Sequence, residues 1–186
     1  VALGQPTGIF YWAMPFIKFL PNTVFTLRLA TGLLAIMSIP ASYVLTRVWF
    51  GNKVATIAVV LVVVSFWHIH YSRIAFSSLS LVLLEVVFLA LFWPGLKRCH
   101  HGILATSGIF FGLGVYTYKG FPLLACLAAL LLLRHAWSER NRWKKVAIQS
   151  TVFAVPALIT MLPFLHFIAG HHDDVFSSYR TLTLFN

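Results

Sequence analysis

Apolar runs of up to about 20 residues dominate the chain, and this is the length that a helix needs to cross a bilayer. Hydrophobic residues make up 60% of the sequence and charged residues only 10%, whereas soluble domains carry about 25% charged residues. Disordered, coiled-coil, collagen and disulfide-stapled chains do not tolerate this composition. Windows of suitable length, bounded by charge or by Gly and Pro, are Thr23–Thr46, Val54–Tyr71, Ser78–Leu96, Ile103–Thr117, Phe121–Leu133 and Val146–Ala169.

These windows predict an all-α, polytopic membrane bundle of about six transmembrane helices. The aromatic segment Gly8–Leu20 is too short to cross and is expected to lie in the membrane interface. The short windows on either side of Lys119 predict a tight helical hairpin. Because there is no initiator Met and Val1 reads as part of a loop, we expect residues 1–186 to be the central fragment of a single membrane module.

The formal net charge of +10 would suggest nucleic acid in a soluble protein. Here the basic residues lie in short gaps between apolar runs, which favours loops at an anionic membrane surface over nucleic-acid binding. Alternate loops place nine Lys and Arg on one side, predicted to be cytoplasmic. They are Arg47, Lys53, Lys97, Arg98, Arg134, Arg140, Arg142, Lys144 and Lys145. The opposite, extracytoplasmic side has five, which are Lys18, Arg28, Arg73, Lys119 and Arg180.

Four of these extracytoplasmic cations lie at span ends, in turns or in the tail: Arg28, Arg73, Lys119 and Arg180. Arg and Lys beside lipid are the groups that bind a phosphate or pyrophosphate headgroup. The alternative is that each side chain extends to the headgroups without a specific ligand. For the set of four, we favour a functional role for at least one residue.

Other ionisable residues are weaker candidates. Glu85, within a predicted span, is interpreted as a structural polar contact or a protonated acid rather than a base. His68 and His70 are two residues apart, so a helix places them on different faces, where they contact carbonyls or headgroups rather than one metal ion. The cluster His171–Asp174 has metal-ligand residue types, but a solvated loop is favoured over a metal site. Cys99 and Cys126 are isolated and are expected to be packed apolar residues.

Several stretches together resemble the polyprenyl-phosphate-dependent glycosyltransferases of the C superfold, in the branch of protein mannosyltransferases and lipid A aminoarabinose transferases. In chain order they are Gln5-Pro6 through Ile9-Phe10-Tyr11-Trp12, Leu27-Arg28-Leu29, Phe66 to Arg73, Gly112 to Gly120, and Phe176 with Arg180 to Asn186. Gln5 and Ser77 depart from the residues that aminoarabinose transferases carry, which argues against that activity in particular.

The resemblance implies an enzyme of the bacterial inner membrane that transfers a sugar from a polyprenyl-phosphate carrier to a glycan, lipid or protein acceptor at the extracytoplasmic face. It implies donor-phosphate binding by Arg180 and Lys119, to which Arg73 is added. Tyr11, Arg28 and His70 are candidates for the substrate cavity. The catalytic acid of such enzymes would precede Val1, so no catalytic residue is assigned and the fragment alone is expected to be inactive. No cofactor or metal is assigned.

Two other functions remain open from the sequence. A transporter or flippase of an anionic lipid or sugar phosphate would use the same basic residues, and Pro40, Pro156 and Pro163 are compatible with the discontinuous helices of transporters. A non-catalytic membrane scaffold would use the Phe-rich faces for helix packing alone. The sugar, the acceptor and the length of the carrier are not encoded in any recognisable motif.

Overall fold

The computed structural model describes residues 8–21, 23–74, 78–118 and 120–170. Within these ranges the chain is helical and contains no strand, which confirms the all-α prediction. Short 3₁₀ turns occupy Gly114–Tyr116 and Arg140–Arg142. The α-helices are α1 (Gly8–Phe19), α2 (Val24–Phe50), α3 (Asn52–Val64), α4 (Phe66–Arg73), α5 (Ser78–Arg98), α6 (His101–Leu113), α7 (Phe121–Ser138) and α8 (Trp143–Gly170).

Four helices in the described part of the chain, α2, α5, α7 and α8, are long and apolar enough to cross a membrane. The number becomes five if α3 and α4, which are bent by 50° at Ser65, count as one broken span. Many large apolar side chains on these helices remain exposed, such as Ile57 at 63% and Leu158 at 54%. Exposed apolar faces on helices of this length are consistent with a membrane protein.

The prediction of about six spans is not confirmed. The window predicted over Ile103–Thr117 forms the 13-residue helix α6, followed by the 3₁₀ turn that ends at Tyr116. A helix of this length extends about 20 Å, which is less than the roughly 30 Å of a bilayer core. The predicted interfacial segment does form a helix, α1, but nothing places it at a membrane interface.

Helix packing is closest between α6 and α8, and α6 also packs against α5. Gly108 and Gly112 of α6 lie against α8, because a Cβ at either position would overlap Phe153 O or the Thr160 hydroxyl. Four phenylalanines from α5, α6 and α8 fill the centre with ring centroids 4.8–5.9 Å apart. They are Phe88, Phe92, Phe111 and Phe153. Small residues and interlocking rings therefore define the core.

Contacts between helix termini group the loops into two ends of the bundle. At one, the "basic end", the rings of Trp49 and Trp93 are 5.5 Å apart, and Gln149 donates to Leu96 O at 2.8 Å. This end contains all nine cations of the more basic side. At the other, the "α1 end", Trp12 Nε1 donates to Ala30 O at 2.8 Å. Five elements meet there: α1, the start of α2, the end of α4, the 3₁₀ turn after α6 and the end of α8.

Candidate functional site at the α1 end

A buried threonine joins α2 to α4 at the α1 end. The hydroxyl oxygen of Thr31 lies 3.1 Å from the carbonyl oxygen of Arg28 and 3.3 Å from that of Ser72. Arg28 is one turn before Thr31, and Arg73 directly follows Ser72. The two predicted arginines therefore lie at one corner of the bundle, although 45 positions separate them in the sequence.

Both arginines at this corner are exposed. The ion pairs of the described residues involve Glu139, which binds Lys145 at 3.3 Å and Arg142 at 4.0 Å at the opposite end. Within the same ranges, neither Arg28 nor Arg73 pairs with a carboxylate. A pair of exposed guanidinium groups without a protein counter-ion is suited to binding an anion such as a phosphate.

The two histidines of α4 occupy different surroundings, as their spacing predicted. His68 Nε2 lies 3.2 Å from Ala35 O of α2, so this ring holds α4 against α2. His70 is exposed and stacks on Phe66, with ring centroids 5.4 Å apart. Of the two, His70 is the one that a ligand can reach.

The helix α1 attaches to the bundle by one face and leaves its other face open. Ala13 is 2% exposed, whereas Tyr11, a predicted cavity residue, is 67% exposed. A Cβ at Gly8 would lie only 2.7 Å from Tyr116 O, so the start of α1 contacts the 3₁₀ turn closely. On α1, an open apolar depression is lined by Phe10, Met14, Ile17 and Lys18. An apolar surface beside a cation can accommodate an amphipathic lipid.

Some predicted site residues are not placed. Lys119, Arg180 and the cluster His171–Asp174 lie outside the described residues. Glu85 is half-buried in α5 and has no ion pair in the described part of the chain, so its role as a structural contact stays a prediction. No group of three His, Cys, Asp or Glu suited to a metal ion occurs within the described ranges.

Sequence reasoning missed the polar contacts at the basic end. His135 Nε2 lies 2.9 Å from Gln149 Oε1, and both side chains are buried. Lys97 and Arg134 both lie over the ring of Trp93. A glutamine inside an apolar window was the available signal for the first contact. The two cysteines were predicted to be packed, but Cys99 and Cys126 are both exposed, because each lies on an outer face or at a helix end.

Comparison with known proteins found no protein family, no curated protein and no solved structure that matches the chain.

Proposed function

We propose that the chain is the membrane module of a glycosyltransferase that takes a sugar from a polyprenyl-phosphate donor and passes it to an acceptor at the extracytoplasmic face. The observation that carries the proposal is the corner where Arg28 and Arg73 are exposed without a carboxylate partner among the described residues. The stretches that resemble this enzyme class also contribute residues to the α1 end.

The proposed chemistry assigns the donor phosphate to this corner. Transfer from a phosphate-linked sugar leaves negative charge on the departing phosphate, and fixed cations stabilise that charge. The apolar depression beside Lys18 is suited to the prenyl chain of the donor. The described acids do not lie at this corner as a general base, since Glu139 pairs at the basic end and Glu85 lies within α5. As the resemblance implies, we expect the chain alone to bind donor without transferring sugar.

The first experiment measures binding of undecaprenyl phosphate to the purified chain in phosphatidylcholine nanodiscs by native mass spectrometry. The double variant Arg28→Ala/Arg73→Ala should bind about tenfold more weakly or worse, because a hydrogen bond to a charged group contributes about a factor of ten. The matched control Lys53→Ala/Arg140→Ala removes the same charge from exposed residues of the basic end. Equal affinity of both variants for the donor would contradict the proposal.

Catalysis itself is tested with the protein expressed from its own gene, supplied with labelled polyprenyl-phosphate sugar and membrane acceptors. Label should move from the donor to an acceptor, and the Arg28→Ala/Arg73→Ala variant should not catalyse this transfer. Detectable transfer by the purified 186-residue chain would contradict the expectation that the catalytic base lies outside it.

One observation favours a transporter or flippase as the second candidate. The bent pair α3 and α4 breaks at Ser65, and discontinuous spans are common at transporter binding sites. His68 joins this broken helix to α2, close to the proposed phosphate corner. Movement of labelled undecaprenyl phosphate across proteoliposomes, without sugar transfer by the full gene product, would favour this function over the glycosyltransferase.

A further inference from the structure

A tryptophan at the basic end is shared by two cations from different helices. Lys97 Nζ, one turn after Trp93 on α5, lies 4.9 Å from the centroid of its ring. Arg134 Cζ of α7 lies 5.4 Å from the same centroid. Both distances are within the range of cation–π attraction. The indole of Trp93 therefore contacts two cationic side chains, one from α5 and one from α7.

These two charges lack a neutralising partner in the described part of the chain. The carboxylate at this end, Glu139, is already bound by Lys145 and Arg142. Lys97 and Arg134 are exposed and form no ion pair within the described ranges. Two cations gathered at one ring without a carboxylate leave a positive local potential, which favours binding of an anion.

The tryptophans at the basic end indicate whether the anion at this site comes from lipid or from solution. Trp49 packs against Trp93, and Trp137 and Trp143 are 81% and 68% exposed at the same end. Tryptophans gather at the level of lipid headgroups, where the ring contacts acyl chains and the N–H contacts polar groups. At that level, an anion beside Trp93 would come from a phospholipid headgroup rather than from bulk water.

We propose that Trp93, Lys97 and Arg134 form a binding site for the phosphate of an anionic phospholipid at the junction of α5 and α7. Arg134 supplies a planar fork of donors for phosphate oxygens, and Lys97 supplies a mobile point charge. The ring of Trp93 orients both cations and packs beside the glycerol and acyl region. This site lies at the opposite end from the donor corner and does not depend on the proposed glycosyltransferase activity.

The test uses the full 186-residue chain in nanodiscs of phosphatidylcholine with a minor fraction of phosphatidylglycerol, with retained lipid counted by native mass spectrometry. The variant Lys97→Ala/Arg134→Ala should bind phosphatidylglycerol about tenfold more weakly or worse, because one basic residue near an anionic surface contributes roughly a factor of five. The variant Lys97→Gln/Arg134→Gln, which keeps most of the side-chain bulk, should show the same loss of affinity for phosphatidylglycerol. It replaces the alanine variant in the test if that variant folds poorly.

The matched control Lys53→Ala/Arg140→Ala removes two exposed charges from the same end without touching Trp93. It should retain most of the bound phosphatidylglycerol, and an equal loss in both variants would overturn the proposal in favour of diffuse surface attraction. Excess inorganic phosphate should not displace the lipid, and displacement would instead identify a site for soluble anions. Arg28→Ala/Arg73→Ala should not reduce the part of the binding that Lys97→Ala/Arg134→Ala abolishes, which separates this site from the donor corner.

Discussion

At the residue scale, the buried side chain of Gln149 links α8 to α5 and α7. Its Oε1 accepts from His135 Nε2 of α7, its Nε2 donates to Leu96 O of α5, and the residue is 1% exposed. Gln149→Leu should lower the free energy of unfolding by about 1–2 kcal/mol, because it leaves a buried imidazole unpaired and removes the closer of two donors to Leu96 O. Thermal unfolding in detergent measures this. The control is Thr151→Val, which removes an exposed hydrogen bond within α8. An equal loss of stability in both variants would contradict the role of Gln149 in joining the helices.

Trp49, unlike Gln149, has a buried polar group without a hydrogen-bond partner among the described residues. Its Nε1 is buried, and no acceptor for it occurs in the described residues. Trp49→Phe removes this donor but keeps a ring against Trp93, so stability should stay equal or rise by up to about 1 kcal/mol. Trp12→Phe breaks the bond to Ala30 O and should lower stability. A larger loss for Trp49→Phe than for Trp12→Phe, in the same thermal assay, would contradict this interpretation.

At the scale of elements, the contact between α6 and α8 depends on two glycines four residues apart. Gly112→Ala should destabilise the bundle by about 1–3 kcal/mol, because the added methyl group would overlap Thr160 and Ala157 O of α8. Thermal unfolding of the purified chain provides the measurement.

Gly32 of α2 is the matched control for this glycine, since a Cβ there would meet nothing within 4 Å. Gly32→Ala should leave stability unchanged or raise it by up to about 1 kcal/mol, because alanine is the better helix former. Similar losses at both glycines would show that helix propensity, and not the approach of α6 to α8, determines the result.

At the scale of the whole molecule, the distribution of charge between the two ends predicts orientation. The nine cations of the basic end should face the cytoplasm. In a Cys126→Ser background, Cys99, which is exposed beside Arg98, should react with a membrane-impermeant maleimide in inverted vesicles and not in intact cells.

A cysteine at the α1 end completes this orientation experiment. Phe19 is 82% exposed, and Phe19→Cys in a chain without Cys99 and Cys126 should react from the outside of intact cells. Labelling of both positions from the same side would contradict the arrangement of the ends across a membrane.

The sequence alone determined the helical class and the approximate bounds of α2, α5, α7 and α8, because the length of an apolar run is a local property that a bilayer or a core selects directly. The same reasoning predicted that Arg28 and Arg73 belong to one end. It did not predict the break at Ser65, because no Pro or Gly marks it and the preceding run is continuously apolar. It also overestimated the span at α6, which ends after 13 residues.

Only the tertiary structure decided which helices became neighbours. The four long helices α2, α5, α7 and α8 are similarly apolar, so hydropathy cannot select their partners. The fit of Gly108 and Gly112 against α8 can select a partner. That choice joins Thr31 to Ser72, and it places His135 beside Gln149 and Arg134 over Trp93. These pairs are distant in sequence, and their contacts exist because side-chain shape, acting over short range, selects one packing among many of similar hydrophobicity.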